Sequence, residues 1–207
     1  MKKLPREFYL RPDTIETARD LLGKTLVVPA ENGERVSGVI VETEAYLGAM
    51  DKASHAFGNR RTPRTEIMFE EGGRAYVFFI YGMYFQLNVT TGAKDSPHCV
   101  LIRAVEPSEG IEKMRERRRL KKNGALQTKM PDVNLTSGPG KLCIAFGIDK
   151  SYNGDSLLGE RIWIENGGKI SDSEIMCGSR IGIDYAAEFA EKPWRFWIKN
   201  NPFVSRR

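Results

Sequence analysis

From Val41 to Asn88 the chain reads VETEAYLGAMDKASHAFGNRRTPRTEIMFEEGGRAYVFFIYGMYFQLN, and most side chains able to do chemistry fall inside it. Two carboxylates, Glu42 and Glu44, are followed by Tyr46 and then by His55, one of only two histidines. Arg60, Arg61 and Arg64 make a basic turn, and Tyr76 to Phe85 is an aromatic run interrupted at Gly82-Met83. A carboxylate can deprotonate a water and stabilise the positive charge that builds on a sugar carbon as its substituent leaves. A neighbouring cation such as Arg103 keeps that carboxylate ionised and helps hold the water. Aromatic rings such as Tyr46, with His55, can sandwich a base turned out of a duplex stack. A side chain on a hairpin tip can fill the gap the base leaves, and Tyr81, beside Gly82 and Met83, is the candidate. Together these residues suit work on a nucleobase.

The elements that must position them can be read from pattern. Asp13 to Gly23 is a helix with Asp13 as its cap, Glu16 three residues on, and an apolar stripe of Ile15, Ala18, Leu21 and Leu22. Lys24 to Pro29 is a strand, Asn32-Gly33 a hairpin turn, and Val36 to Glu44 the returning strand. Side chains alternate faces along a strand, so Glu42 and Glu44 share one, and Tyr46 joins them if the strand runs on. Alternation does not choose between the two glutamates. Leu47 to Gly73 reads as a long loop, which in a compact domain is usually functional or disordered. Tyr76 to Tyr81 and Tyr84 to Thr90 form a hairpin with too many aromatics to alternate cleanly; Phe79 and Phe85 are expected in a sheet core. Val100 to Val105 is a strand interrupted by Arg103, which either points outward or meets a carboxylate.

Ser108 to Lys122 reads as a charged helix, and Leu135 to Gly147 as a Gly-rich turn opening a short helix without a P-loop ending. Arg161 to Glu165 is a strand, Ser179 to Ile183 a short extended segment, Ala186 to Lys192 a helical turn and Trp194 to Ile198 a last strand. Many strands and few βαβ alternations predict an α+β fold: a single domain over residues 1–207, with a mixed, mostly antiparallel sheet and surrounding helices.

The 207 residues carry a net charge of +5, which suits a polyanionic partner. Three unclustered cysteines argue against a disulfide framework and a cysteine-ligated zinc site, and fit a reducing compartment. The N-terminus lacks the apolar core of a signal peptide, and no run of apolar residues is long enough to span a membrane. Glu44, Asp51 and His55 would make a poor metal ligand set. A non-catalytic nucleic-acid-binding module explains the charge and the aromatic strands but leaves the paired strand glutamates without a role.

VETEAYLG, D-x-A-x-H at Asp51 to His55, RTPR at Arg61 to Arg64 and YGMYFQLN at Tyr81 to Asn88 resemble the alkyladenine (3-methyladenine) DNA glycosylase family. VLIRAVEP (100–107), LTSGPGKLC (135–143), SRIGI (179–183) and KPWRFWIKNNPFVS (192–205) continue the resemblance along almost the whole chain, in order. It implies a protruding DNA-inserting β-hairpin and monofunctional excision by an activated water, with no cofactor, no metal and no strand cleavage. It places the catalytic base on Glu44, the water-holding arginine on Arg103 and a water-binding carbonyl on Ile181. Tyr46, His55 and Asn88 become pocket residues, Tyr81 the intercalating residue, and Met83, Arg61 and Arg64 DNA contacts. Phe78 stands where animal relatives have a second pocket tyrosine, so a phenolic hydroxyl is lost there. The expected partner is double-stranded DNA containing damaged purines, with 3-methyladenine and 7-methylguanine as substrates and hypoxanthine and ethenoadenine as further candidates. The chain lacks the long N-terminal extension of animal relatives, and the expectation is a compact bacterial-type monomer working in the cytoplasm on the nucleoid.

Overall fold

The computed structural model describes residues 2–30, 33–80, 82–119 and 130–206. Its elements in chain order are α1 (Arg6–Tyr9), α2 (Thr14–Asp20), β1 (Thr25–Pro29), β2 (Arg35–Tyr46), β3 (Ala75–Ile80), β4 (Tyr84–Thr91), β5 (His98–Glu109), α3 (Ile111–Arg118), α4 (Val133–Thr136), α5 (Pro139–Phe146), β6 (Trp163–Glu165), β7 (Ile175–Gly178) and β8 (Arg195–Ile198). The strands form one sheet in the order β3-β4-β5-β2-β1-β6, with β8 pairing both β2 and β7, and the registered pairs are antiparallel. Helices α3, α4 and α5 pack together, and α5 lies on β4 and β5. The main core includes Leu87, Ile102, Leu142 and Phe146. The fold is α+β, as the sequence pattern predicts.

Strand β2 is the hub. Its first half pairs with β1, Ser37 to Tyr46 with β5, and its Glu42–Glu44 stretch also with β8. Glu42 and Glu44 are therefore interior sheet residues with a strand on either side. The β2–β5 register slips around Glu42, whose partner is Ala104, before Thr43 pairs with Ile102. Arg103 is thus the extra residue of a bulge. A bulge bends its strand and re-aims a side chain, and here the side chain is the cation between the two glutamates.

Helix α2 starts where Asp13 accepts the backbone N–H of Glu16 at 2.9 Å. Gly23 follows at φ +79°, where an added Cβ would sit 2.8 Å from the Gly168 carbonyl oxygen. The long segment between β2 and β3 holds only short 3-10 turns, Gly48–Met50, Phe57–Asn59 and Glu66–Phe69.

Several expectations change. The β3 strand does alternate: Tyr76, Phe78 and Ile80 face one cavity, while Phe79 turns away and is half-exposed against Phe85 at 5.0 Å between ring centres. Phe79 is therefore not a core residue, although Phe85 does pack on the core. The helix expected from Ser108 begins only at Ile111. Ser108 and Glu109 extend β5 instead, because Ser37 bonds to both and Gly110 then breaks the strand at φ +69°. The extended segment expected over Ser179 to Ile183 falls one step earlier, at β7, which pairs with β8. Asn32 of the expected turn, Tyr81, and residues 120–122 of the basic run lie outside the described residues.

Asp13→Ala is expected to cost about 1 kcal/mol through loss of the cap. Urea denaturation of both proteins checks this, and an unchanged midpoint would show that packing alone holds the helix end.

Candidate active site

The period of two on adjacent strands assembles the site. Tyr76 pairs opposite Asn88, Asn88 opposite Leu101, Leu101 opposite Glu44, and Cys99 opposite Tyr46. One sheet face therefore carries Tyr76 and Phe78 from β3, Asn88 from β4, Cys99 and Arg103 from β5, and Tyr46 from β2. Together with His55 they line a cavity of about 90 Å³.

Glu44 sits immediately behind this wall and is fully buried. Its Oε1 accepts the Ile181 backbone N–H at 2.8 Å and lies 3.1 Å from Arg103 Nη1. Its Oε2 accepts the Tyr46 hydroxyl at 2.8 Å. Burial raises the Glu44 pKa above the ordinary carboxylate value, and Arg103, the Ile181 N–H and the Tyr46 hydroxyl pull it partly back. Burial also pushes the Tyr46 hydroxyl well up, reinforced by the Glu44 charge, so Tyr46 remains a donor.

Glu42 is equally buried but points its contacts elsewhere. It accepts Arg103 Nε at 2.9 Å, Arg195 Nη1 at 3.0 Å and the Ser205 N–H at 2.7 Å. Arg103 thus spans both glutamates. Burial alone would lower the Arg103 pKa, and the charges of Glu44 and Glu42 outweigh that, leaving it raised. The two carboxylates divide the work: Glu42 holds the cation, and Glu44 stands behind the cavity.

His55 meets Phe78 edge-on at 4.6 Å, and its Nδ1 lies 2.8 Å from the Tyr76 hydroxyl. Arg64 reaches its Nε2 at 3.4 Å. A guanidinium only donates, which assigns Nε2 as the acceptor and Nδ1 as the protonated nitrogen. Burial, with help from Arg64 and Arg60, lowers the His55 pKa to about 4, so the ring is neutral at physiological pH. Asn88 is held at both ends: its Nδ2 donates to the Tyr76 carbonyl at 3.2 Å and its Oδ1 accepts the Cys99 thiol at 3.8 Å.

The structure brings Glu44, Arg103, Ile181, Tyr46, His55, Phe78 and Asn88 together. Ile181 touches Glu44 through its N–H; the role that the resemblance implies for its carbonyl, binding the water, is a separate one. Arg64 joins the rim, 4.8 Å over the Phe78 ring. Arg61 does not: it is held by Glu66 and Asp95 and lies over Phe69. Met83 is exposed in the hairpin turn. Asp51 gives both oxygens to Arg180 and also accepts from Leu47 and Ala53 N–H groups, so it is turned away from any ligand set with Glu44 and His55. Arg180, Arg195 and Tyr76 had escaped notice. Arg195, a charge within the apolar run WRFWI, carried the same signal that marked Arg103.

The chain belongs to the methylpurine-DNA glycosylase family, whose profile matches residues 7–202. It is 52% identical over 207 residues to a protein of Clostridium novyi (strain NT), with the whole of both chains covered. It is 53% identical over 205 residues to one of Alkaliphilus oremlandii (strain OhILAs), covering 99% of this chain and 100% of the relative. A Desulfitobacterium hafniense (strain Y51) protein is 48% identical over 205 residues, with 99% of each chain covered. Each carries the provisional name 3-methyladenine DNA glycosylase. Among the described residues no helix is long and apolar enough to cross a membrane.

Glu42→Gln is expected to destabilise the fold by about 3–5 kcal/mol, since it leaves buried arginines without their counter-charge. Glu44→Gln keeps an oxygen for the Ile181 N–H and should cost less. Denaturant midpoints decide, and equal losses would refute this division. The His55 ring resonances should not titrate between about pH 5.5 and 8, whereas a free histidine would; two-dimensional NMR reads this directly.

Proposed function

We propose that this DNA glycosylase turns a damaged purine out of duplex DNA and hydrolyses its N-glycosidic bond with a water activated by Glu44, leaving an abasic site. One observation carries the reading: Glu44 is a fully buried carboxylate with acceptor capacity to spare, set just behind an aromatic cavity. A carboxylate offers about four lone-pair sites, of which two hydrogen bonds and one ion pair use three. A water entering between Tyr46, Arg103 and Ile181 takes the remaining site. It is thereby aimed at the sugar carbon of a base held in the cavity. Arg103 steadies that water, and the Ile181 carbonyl is a further acceptor for it.

The base stacks against Tyr46, with His55 and Phe78 closing the other walls. Asn88 meets the purine edge and disfavours undamaged guanine through a clash with its exocyclic amine. As the bond breaks, the sugar becomes oxocarbenium-like and Glu44 stabilises it while taking the proton of the water. In this reading the reaction is monofunctional, without a Schiff base or strand cleavage. A neutral His55 is a poor general acid, so bases that are already cationic, 3-methyladenine and 7-methylguanine, leave most readily. Neutral hypoxanthine and ethenoadenine are the slower substrates in this reading. The chain acts as a single domain and as a monomer, with the β3–β4 hairpin toward the duplex. Tyr81 is the wedge, Met83 flanks it, and Arg61 and Arg64 meet the backbone. Working on genomic DNA, the enzyme belongs in the cytoplasm at the nucleoid.

In single-turnover assays on methylated duplex DNA with EDTA present, wild type should leave alkali-labile abasic sites. Glu44→Gln should bind the same DNA but excise roughly 10²–10⁴-fold more slowly. Glu44 must be ionised to act, so the wild-type rate should fall on acidification, with its acid limb above the ordinary glutamate range. DNA binding without excision of charged or neutral lesions would instead mark a non-catalytic binding module.

A further inference from the structure

Behind the catalytic wall lies a second buried ion pair. The side chains of Arg180 and Asp51 both have no exposure. Arg180 Nη1 and Nη2 grip the two Asp51 oxygens at 2.5 and 2.8 Å. The same guanidinium donates to the carbonyls of Ala45 at 2.9 Å and Phe189 at 3.3 Å. It lies 4.6 Å over the Tyr46 ring and 4.9 Å over that of Trp194. Asp51 in turn accepts the N–H groups of Leu47 at 3.1 Å and Ala53 at 3.0 Å. One side chain therefore ties together the end of β2, the loop that leads to His55, and the turn at Phe189. The residue after Arg180 is Ile181, whose N–H reaches Glu44.

We infer that Arg180, paired with Asp51, is a positioning residue for excision: it locks the loops that present the Ile181 N–H to Glu44 and the Tyr46 ring to the base. Net stability is a weak reason for such a pair, because well-packed apolar residues often replace a buried ion pair at no cost. What apolar residues do not reproduce is a planar fork that holds two carboxylate oxygens while stacking between two rings; lysine does not reproduce it either. The pair is neutral as a unit, so it acts on Glu44 through geometry.

The groups facing Glu44 are Arg103 from β5, Glu42 and Tyr46 from its own strand, and the Ile181 N–H; Arg195 of β8 stands behind Glu42. Loosening Arg180 removes two of these, the Tyr46 hydroxyl and the Ile181 N–H. Both favour ionised Glu44. Its ionisation then requires higher pH, and the stacking ring loses its backing.

This inference rests on Glu44 being the general base. The test measures single-turnover excision from methylated duplex DNA across pH for wild type, Glu44→Gln, Arg180→Lys and Asp51→Asn. Circular dichroism and thermal melting check that each is folded. The expected result for Arg180→Lys is a rate 10–100-fold lower, roughly the cost of a small misplacement. Its acid limb should move up by about one pH unit, as loss of donors to the ionised carboxylate requires. Should Arg180→Lys not fold, Asp51→Asn, which keeps the shape of the side chain, carries the same test. A folded variant with the wild-type acid limb overturns the inference whatever its rate. Loss of fold in both variants also overturns it, marking the pair as structural. If wild type excises normally in those cases, the clamp alone fails; if wild type leaves no abasic sites, the glycosylase mechanism itself fails.

Discussion

Two carboxylates and two arginines removed from water together constrain the rest of this molecule. Taking a charged group into a protein interior costs several kcal/mol after relaxation. A close pair returns about 4 kcal/mol at the effective dielectric of protein sites. Such a network is near break-even and survives only where every lone pair and proton is placed. The fold supplies that placement: β5 bulges to bring Arg103 between Glu42 and Glu44, β8 brings Arg195 to Glu42, and the tail brings the Ser205 N–H. Each glutamate takes three of these contacts, so what distinguishes Glu44 is its position: its partners Tyr46, Arg103 and Ile181 line the cavity, whereas Arg195 and Ser205 of the Glu42 shell do not.

The cavity in front of this network follows from strand alternation rather than from loops. Four adjacent strands each contribute every second side chain to one face, so the distances between Tyr46, Arg103, Asn88 and Phe78 are set by the ladder. His55 is the exception, borne on an irregular segment. It is fixed by the Tyr76 hydroxyl on one nitrogen and by Arg64 near the other. The rigid parts thus hold Tyr46, Arg103, Asn88 and Phe78, and the loop brings the ring that closes the wall.

Much of this was legible in the sequence because it depends on local pattern. The Asp13 cap, the strand bearing the glutamates, the hairpin and the charge stranded in VLIRAV all follow from residue type and spacing. What escaped is information that belongs to pairs of strands. No single-strand pattern shows the bulge that aims Arg103, since a bulge is a relation between two registers. The density of aromatics in YVFFIY hides its alternation and places Phe79 in a core, yet its face of the strand lies half open beside Phe85. The expected helix lost Ser108 and Glu109 because a distant serine, Ser37, bonds to both. Arg180 looked like one charge in a short extended segment; its worth appears only when Asp51, some 129 positions away, closes on it.

Ser205 and Arg206 bear on the order in which the charged centre is completed. The Ser205 N–H closes the Glu42 shell, and the Arg206 carbonyl accepts Arg195 Nη1 at 2.9 Å. A ribosome therefore finishes nearly all of the sheet before it delivers the groups that complete its charged centre. Until then Glu42 is short of a donor, and β2 waits on segments far away in sequence. Contacts of such separation are slow to form, because the entropy of closing the intervening chain is lost before any contact rewards it. Formation of the sheet and completion of its charged centre are thus separable steps, the second waiting on Ser205 and Arg206.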